Sequence, residues 1–592
     1  MRVRDLRSSC LAGFLYSALL YGGVLSIVHV IHSGLGSTRD ALLTFAALGL
    51  MYGLWGAATF GVGWLLARFR LERGLFLGVL LFNLMFWVPY WVYGLTYDEV
   101  PFGRPSGPGG MLAYAVGLAF VVAVAVAVVS RFLVRAFEAV GGRGWLMKAA
   151  GACFVALLAI HAAAPLYAGK ERMGMVREAE ASPRPPQIRV EDTGLEVVLV
   201  GLDGADWQVL QPMIDRGELP AFAAMMRRGV SGELRPFPHA NSSGLWASIY
   251  TGALPSRHGI KDFYRVRVAG MGSDGFYPVH QVYTKEMAGL LEKVGLARRA
   301  TVSRYSLDAP PIWEIADRAG MSIGVVDGYF YSFPALKPSR PESFFLAYGL
   351  DGFNAQLGRG GGVRDASLFA QPVRLFRRVR SLLERGDFYW QSATLLDLLK
   401  EGQPRFVNLY THQPDVYYHW YWKWLQPRYY PGVTPEAAAE NAGKVRTLHR
   451  DFDGFLAELR EQVGPDTVII VASDHGHSPT ILQTDSYSQH WHGPPGILLM
   501  DGGPVKKGLA LRGSHVLDVF PTLCYLLGLP VPEDAPGKVL LHALDQEFVR
   551  RHPVRTIPSY QGLGMSPGIP GVRTGSGLDE AELEKLRSLG YL

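Results

Sequence analysis

Two unlike hydrophobic patterns divide this 592-residue chain. Over its first part, apolar stretches of roughly 20 residues follow one another from about Cys10 to His32, Ala41 to Leu66, Leu75 to Leu95, Met111 to Ser130 and Trp145 to Tyr167. Each is long enough to cross a bilayer about 30 Å thick. One such stretch alone is also what a buried core helix looks like, but five in succession predict an all-α transmembrane domain of five helices over residues 1–168. Arg2, Arg4 and Arg7 ahead of the first stretch also suit a signal peptide, yet no clear small-residue cleavage site follows and further spans do.

Residues 169–194 turn polar and Pro-containing, which predicts an extended linker. Short apolar runs then alternate with helical periodicity. Strands are predicted at Leu195–Val200, Met321–Val326, Arg405–Tyr410, Thr467–Ala472 and Gly496–Met500, and helices at Val209–Asp215, Ala221–Arg228 and Gly443–Gln462. This alternation predicts an α/β domain over residues 195–545, a mostly parallel sheet covered on both faces by helices. The range of about 264–400, with aromatics such as Tyr329, Phe344 and Phe345 and a glycine run at 358–362, reads either as a cap insertion or as a peripheral subdomain. Residues 546–592 form a loose tail that ends in a short amphipathic stretch, Leu578–Leu589.

Charge orients the predicted spans. Arginines at 2, 4 and 7, at 68, 70 and 73, and at 131, 135 and 143 fall in alternate loops, while the intervening loops hold Arg39 and Arg104. The positive-inside rule then puts the N-terminus in the cytoplasm and everything after Tyr167 on the periplasmic or extracellular side. The formal net charge of +6 is modest, and without a basic stripe interleaved with aromatics it gives no warrant for nucleic-acid binding. The three cysteines, Cys10, Cys153 and Cys524, imply no disulfide framework.

Candidate chemistry lies where the predicted strands end. Asp203 follows the first; Asp415 and His419 follow the strand near Tyr410; Asp474 and His475 follow the strand ending at Ala472; His492 precedes the one at Gly496. Each has a plain structural reading, as a helix cap, a turn or one more member of an aromatic surface. Together they offer three carboxylates and three imidazoles, a donor set suited to two divalent cations. Asp415 and His419 are four apart, so one helical turn puts both on one face. Between residues 239 and 260 lie two adjacent serines, Ser242 and Ser243. A serine at a helix N-terminus has backbone N–H groups and the positive dipole end beside it, which favour an alkoxide and a bound phosphate.

The segment that runs from Ser242 through Trp246, Thr251-Gly252, Pro255 and His258-Gly259-Ile260 resembles the alkaline phosphatase superfamily, in particular its type I phosphodiesterase and nucleotide pyrophosphatase branch and related bacterial phosphohydrolases. Leu202-Asp203-Gly204, the Asp415/His419 pair, Ser473-Asp474-His475-Gly476 and His492-Gly493 match the same pattern in order. The resemblance implies an alkaline-phosphatase-like fold and, nine residues before Thr251, Ser242 as nucleophile. It also implies one metal held by Asp203, Ser242, Asp474 and His475 and another held by Asp415, His419 and His492. Imidazole-rich ligation favours zinc, with manganese the alternative.

The implied activity is a membrane-anchored, outward-facing, two-metal hydrolase of phosphate esters, chiefly diesters, acting through a covalent Ser242 intermediate on a substrate that is lipid- or glycan-linked in one version of the reading. Where the nucleotide pyrophosphatase branch carries a phosphate-contacting Asn, 21 residues after the nucleophile, this chain has Phe263, beside Lys261 and Asp262. A nucleotide substrate is therefore not favoured, and the sulfatase branch is disfavoured because Ser242 lacks its flanking Pro and Arg. Two other readings remain at this stage: a lipid-linked phospho-group transferase of the phosphoethanolamine or phosphoglycerol type, and a non-catalytic membrane binding protein on the same fold. The aromatic run Tyr417–Trp424 suits a substrate wall, a lipid or sugar contact, or packing.

Overall fold

The computed structural model describes residues 2–27, 38–66 and 76–86, short pieces within 116–128 and at 155–157, and then 187–563 apart from 238–240, 261–263, 271–291, 303, 330–337, 341, 347–386, 431, 480–487 and 490–492. The chain divides into two compact units, residues 1–175 with 264–300 and residues 176–263 with 301–592.

In the first unit, helix α1 (Arg2–Ser17) continues through a π-helical turn at Ala18–Gly23, and helix α2 spans Thr38–Leu66. Two stretches, Leu6–Ile27 and Thr38–Leu66, have the length and apolar composition to cross a membrane, with mean hydropathies of 1.7 and 1.6. Small residues let the two backbones close on each other. A Cβ on Gly13 would lie 2.3 Å from the Gly56 carbonyl oxygen, and one on Gly22 would lie 2.7 Å from the Gly49 Cα. A shorter apolar helix, Phe76–Phe86, covers the start of the third predicted span, while the fourth and fifth lie largely outside the described residues.

The second unit is built on one eight-stranded sheet. Its strands are β1 (Val197–Leu202), β2 (Val230–Arg235), β3 (Ile323–Val326), β4 (Phe344–Leu346), β5 (Phe406–Thr411), β6 (Val468–Ala472), β7 (Gly496–Asp501) and β8 (Leu509–His515), in the order β8-β2-β7-β6-β1-β5-β3-β4. Seven run the same way, and β7 opposes both of its neighbours. The mostly parallel α/β sheet expected from the alternation is therefore present. Strands β1, β5 and β6 are buried along their whole length, as strands covered on both faces must be, which explains their near-continuous apolar runs.

Helices α3 (Trp207–Asp215), α4 (Pro220–Arg228), α5 (Ser242–Thr251), α6 (Asp387–Glu401), α7 (Gln413–Leu425), α8 (Pro435–Val463) and α9 (Val516–Leu526) cover it. On one face Val198, Val200, Leu409 and Val471 pack in a single cluster with Leu210, Phe222, Leu395, Phe452 and Leu456. On the other, Trp246 of α5 lies over Gly201, where a Cβ would come within 2.6 Å of the indole, and α5 packs against α9. The missing side chain at Gly201 is what admits Trp246 to the sheet.

Strands β2, β4 and β8 were not legible in the hydrophobic pattern. Strands β2 and β8 are half-polar, with exposed Glu233 and Arg512 among their residues, because they lie at or near one edge. Strand β4 has three residues at the opposite edge. Strands β3 and β4 fall within the range read as a cap and extend the main sheet. The C-terminal amphipathic stretch lies outside the described residues.

One buried imidazole links this core to pH. His449 of α8 lies 2.8 Å from both the Tyr418 hydroxyl and the Val445 carbonyl oxygen, and burial pushes its pKa down to about 4. The folded value is below the unfolded one, so its contribution to stability is complete above pH 6.5 and is lost as pH falls towards 4. The stability advantage of the parent over a His449→Gln variant should shrink by roughly 3 kcal/mol between pH 7 and pH 4 in urea titrations. An advantage independent of pH would rule this assignment out.

Candidate metal centre

The site begins with strand register. Val200 of β1 is level with Leu409 of β5 and with Val471 of β6, so the three central strands end together. The carboxyl edge of a parallel sheet is where such folds present ligand-binding groups. Two backbone bonds then join the loops: the Asp203 N–H donates to the Thr411 carbonyl at 3.0 Å, and the Asp415 N–H donates to the Asp203 carbonyl at 3.0 Å.

Asp203 is oriented from behind. Its Oδ2 accepts the Tyr410 hydroxyl at 2.5 Å and the Trp246 indole N–H at 3.1 Å, which leaves Oδ1 3.4 Å from both Ser242 Oγ and His475 Nε2. Ser242 is the first residue of α5, and its Oγ lies 2.9 Å from His475 Nε2. The neighbouring Ser243 hydroxyl instead donates to Asn241 Oδ1 at 2.6 Å, the same oxygen that caps the helix by accepting the Gly244 N–H. Of the two serines, the structure turns Ser242 to the carboxylates and Ser243 to the cap.

Asp415 and His419 share one buried face of α7, with His419 Nε2 3.4 Å from Asp415 Oδ1. At the end of β6, Asp474 Oδ1 accepts the Gly204 N–H at 3.3 Å, and His475 is held with Nδ1 3.2 Å from the Gly476 carbonyl oxygen. His492 lies outside the described residues. The next residue, Gly493, is so close to Gly476 that a Cβ there would lie 2.2 Å from its carbonyl oxygen.

Two groups of donor atoms result, each within 4.8 Å: Asp203, Asp474 and His475, and Asp415, His419 and His477. His477, absent from the strand-end ligand pattern, lies with Nε2 3.0 Å from Asp415 Oδ1. No spacing rule singled it out, since residues 473–477 lie in neither a strand nor a helix. The supporting Tyr410 and Asn241 carried no spacing signal, whereas Trp246 stood in the segment after Ser242 that carries the resemblance. Asp206, which accepts the His477 amide at 2.8 Å and caps α3, was visible only as one more acid after β1.

Electrostatics makes this cluster a cation site. Burial, and then the charge of Asp415, raise Asp203 to about 7, and burial with the charge of Asp203 raises Asp474 well above the carboxylate range. Burial acts on Asp415 too, but His419 and then His477 hold it well below that range. Burial lowers His475 to about 3 and His477 to about 4, so both imidazoles are neutral. Asp474 Oδ2 is buried with no hydrogen-bond donor among the described residues. Three buried carboxylates repel one another, and a divalent cation removes the repulsion while using the mixed nitrogen and oxygen donors. The residues present fit such ions.

The model of the type I phosphodiesterase / nucleotide pyrophosphatase family matches residues 197–518, more than half of the chain. The chain belongs to that family. It thereby falls in the alkaline phosphatase superfamily, and the sheet is of that type. Curated relatives match over shorter stretches. The 2,3-bisphosphoglycerate-independent phosphoglycerate mutase of Cereibacter sphaeroides is 36% identical over 93 residues, 15% of this chain and 17% of that protein. Human arylsulfatase K is 24% identical over 181 residues, 29% of this chain and 32% of that protein. The chain thus spans between a sixth and a third of the length of these relatives.

Among solved structures, phosphonoacetate hydrolase from Sinorhizobium meliloti aligns at 21% identity over 50% of this chain and 61% of its own, with a TM-score of 0.32. Murine ectonucleotide pyrophosphatase / phosphodiesterase 5 aligns at 15% identity over 59% of this chain and 100% of its own, with a TM-score of 0.36. Likenesses this distant assign no activity.

In this family member, Gly204 sets how closely the two donor groups approach. Its φ is +71°, and a Cβ would lie 2.8 Å from His477 Nε2 and 2.9 Å from the Asp415 Cα. A Gly204→Ala variant should lose about 1–3 kcal/mol of stability and bind zinc more weakly, as read by thermal melts and calorimetric titration. Unchanged zinc affinity would contradict this role.

Proposed function

We propose that this chain is a two-metal phosphohydrolase, acting most readily on phosphate diesters, with Ser242 as nucleophile. The observation that carries the reading is the setting of Ser242 Oγ, at the start of a helix and within 2.9 Å of His475 Nε2 and 3.4 Å of Asp203 Oδ1, amid three buried carboxylates. Asp203, Ser242, Asp474 and His475 would hold one cation, and Asp415, His419 and His492 the other. When bound, zinc or manganese ions supply Lewis-acid charge that lowers the seryl pKa and neutralises phosphate oxygens.

The protein's own groups do the rest. Ser242 Oγ forms a bond to phosphorus as the bond to the leaving alcohol's oxygen breaks, and that alcohol departs with a proton. Water then cleaves the phosphoseryl bond and restores the hydroxyl. The N-terminus of α5 presents backbone N–H groups to the phosphate, and Tyr410 and Trp246 fix the carboxylate that faces the nucleophile.

The same proposal extends to the membrane. The N-terminal helices would anchor the enzyme with residues after Tyr167 outside, and with a linker at 169–194, a hydrolase domain over 195–545 including a cap in the region 264–400, and a tail from 546. The two long apolar helices, their glycine-mediated approach and the alternation of arginine-rich loops support it. A lipid- or glycan-linked phosphate ester is the substrate that such an anchor would bring within reach.

Purified protein loaded with zinc should hydrolyse a nitrophenyl phosphate diester faster than the monoester or the sulfate. A monoester preference would overturn the diester reading, and transfer of the phospho group to a lipid hydroxyl in place of release would mark a transferase. Ser242→Ala should lower turnover by at least about 10³-fold while leaving metal content close to that of the parent. Near-normal turnover would exclude Ser242 as nucleophile. A reporter fused after residue 200 should read as periplasmic or extracellular, and cytoplasmic activity would refute the topology.

A further inference from the structure

The histidines beside Asp415 share one oxygen-bearing residue. Ser488 lies in the two-residue strand Ser488–Gln489, which pairs with Ser478–Pro479 just after His477. Its carbonyl oxygen is 3.0 Å from His419 Nδ1, and its Oγ is 2.9 Å from His477 Nδ1. Both rings therefore turn Nε2 towards Asp415 Oδ1, at 3.4 Å from His419 and 3.0 Å from His477.

The two partners on Ser488 differ in kind. A carbonyl oxygen only accepts, so the His419 ring places its proton on Nδ1 and keeps a lone pair on Nε2, the form that binds a metal. A hydroxyl also donates, so His477 Nδ1 can accept from Ser488 Oγ, which places the ring proton on Nε2, on the side of Asp415 Oδ1. Nε2 of His477 stands 3.0 Å from Asp415 Oδ1, against 3.4 Å for His419, and a lone pair there would face the carboxylate at close range. His477 is also fixed on its other sides: its amide donates to Asp206 Oδ2 at 2.8 Å, its carbonyl accepts Gln208 Nε2 at 3.0 Å, and the ring packs against Tyr418, His419 and Trp422.

We propose that Ser488 sorts the two histidines into opposite tautomers, so that His419 is a metal ligand while His477 is a positioning residue that holds the Asp415 carboxylate. This deepens the two-metal reading of the same site and rests on it. It also assigns Ser488, which no sequence pattern singled out, to the positioning of a whole half-site. Groups of this kind, one bond behind the ligands, typically govern metal affinity by 10–100-fold.

The test uses the full-length protein in detergent, with metal content measured by mass spectrometry against a graded chelator, and with cobalt substituted for spectroscopy. Ser488→Ala keeps the carbonyl and removes the hydroxyl, and should lose one of two ions at a chelator concentration at least tenfold lower than the parent, with Ser488→Thr restoring it. His477→Gln, whose side-chain amide can still donate to Asp415, should retain two ions and the parent's cobalt absorption bands, while His477→Ala should lose one ion. If Ser488→Ala holds both ions as tightly as the parent, the assignment of Ser488 is overturned. If His477→Gln shifts the cobalt bands as a lost ligand does, His477 is a ligand and its positioning role is overturned. A parent that binds no ions overturns the two-metal reading and this inference with it.

Discussion

Three carboxylates buried at one edge of a sheet constrain everything around them. Asp203, Asp415 and Asp474 stand at the ends of adjacent strands or in the helix that follows, so their mutual repulsion is fixed by the fold and cannot relax by side-chain rotation into solvent. Each has been given its own compensation: phenol and indole donors for Asp203, a backbone N–H for Asp474 and imidazoles for Asp415. These stabilise the cluster only in part, and positive charge from outside completes it. A site built this way is a cation site first, and its hydrolytic chemistry follows from what sits beside the cations.

The sequence displayed that plan unevenly. Strands β1, β5 and β6 were plain because burial on both faces forces continuous apolar runs, and the acids and imidazoles stood where those runs stopped. The four-residue step from Asp415 to His419 needed only helical geometry. Edge strands such as β8 escaped because half their residues face water, so their pattern merges with that of loops. His477, Ser488 and Tyr410 escaped for another reason: their roles depend on which atom faces which across large gaps in sequence, as with Tyr410 and Asp203, 207 residues apart.

Family membership covers residues 197–518 and accounts for the chemistry-bearing half of the chain. The N-terminal apolar helices lie outside that match and combine close approach of glycines with the burial of large side chains such as Tyr52, Phe60 and Trp64. The helix that carries Asp415 also divides its aromatics. Tyr418 and Trp422 are buried near His477, whereas Tyr417, Tyr421 and Trp424 lie along another face, where Lys423 and Lys444 sit over the rings of Trp424 and Tyr421. One helix thus supports the metal centre from inside and presents a mixed aromatic and basic surface elsewhere.

The backbone hydrogen bonds that join Asp203 to Thr411 and to Asp415 have an evolutionary consequence. They tie the two donor groups together through main-chain atoms, which are common to every residue type, so most side-chain replacements leave these bonds in place, Gly204, where no Cβ fits, being the exception. The reaction geometry is in that sense hereditary, while the surrounding loops are free to drift. Descendants of such a fold are expected to exchange the molecules they act upon far more easily than the bond they break.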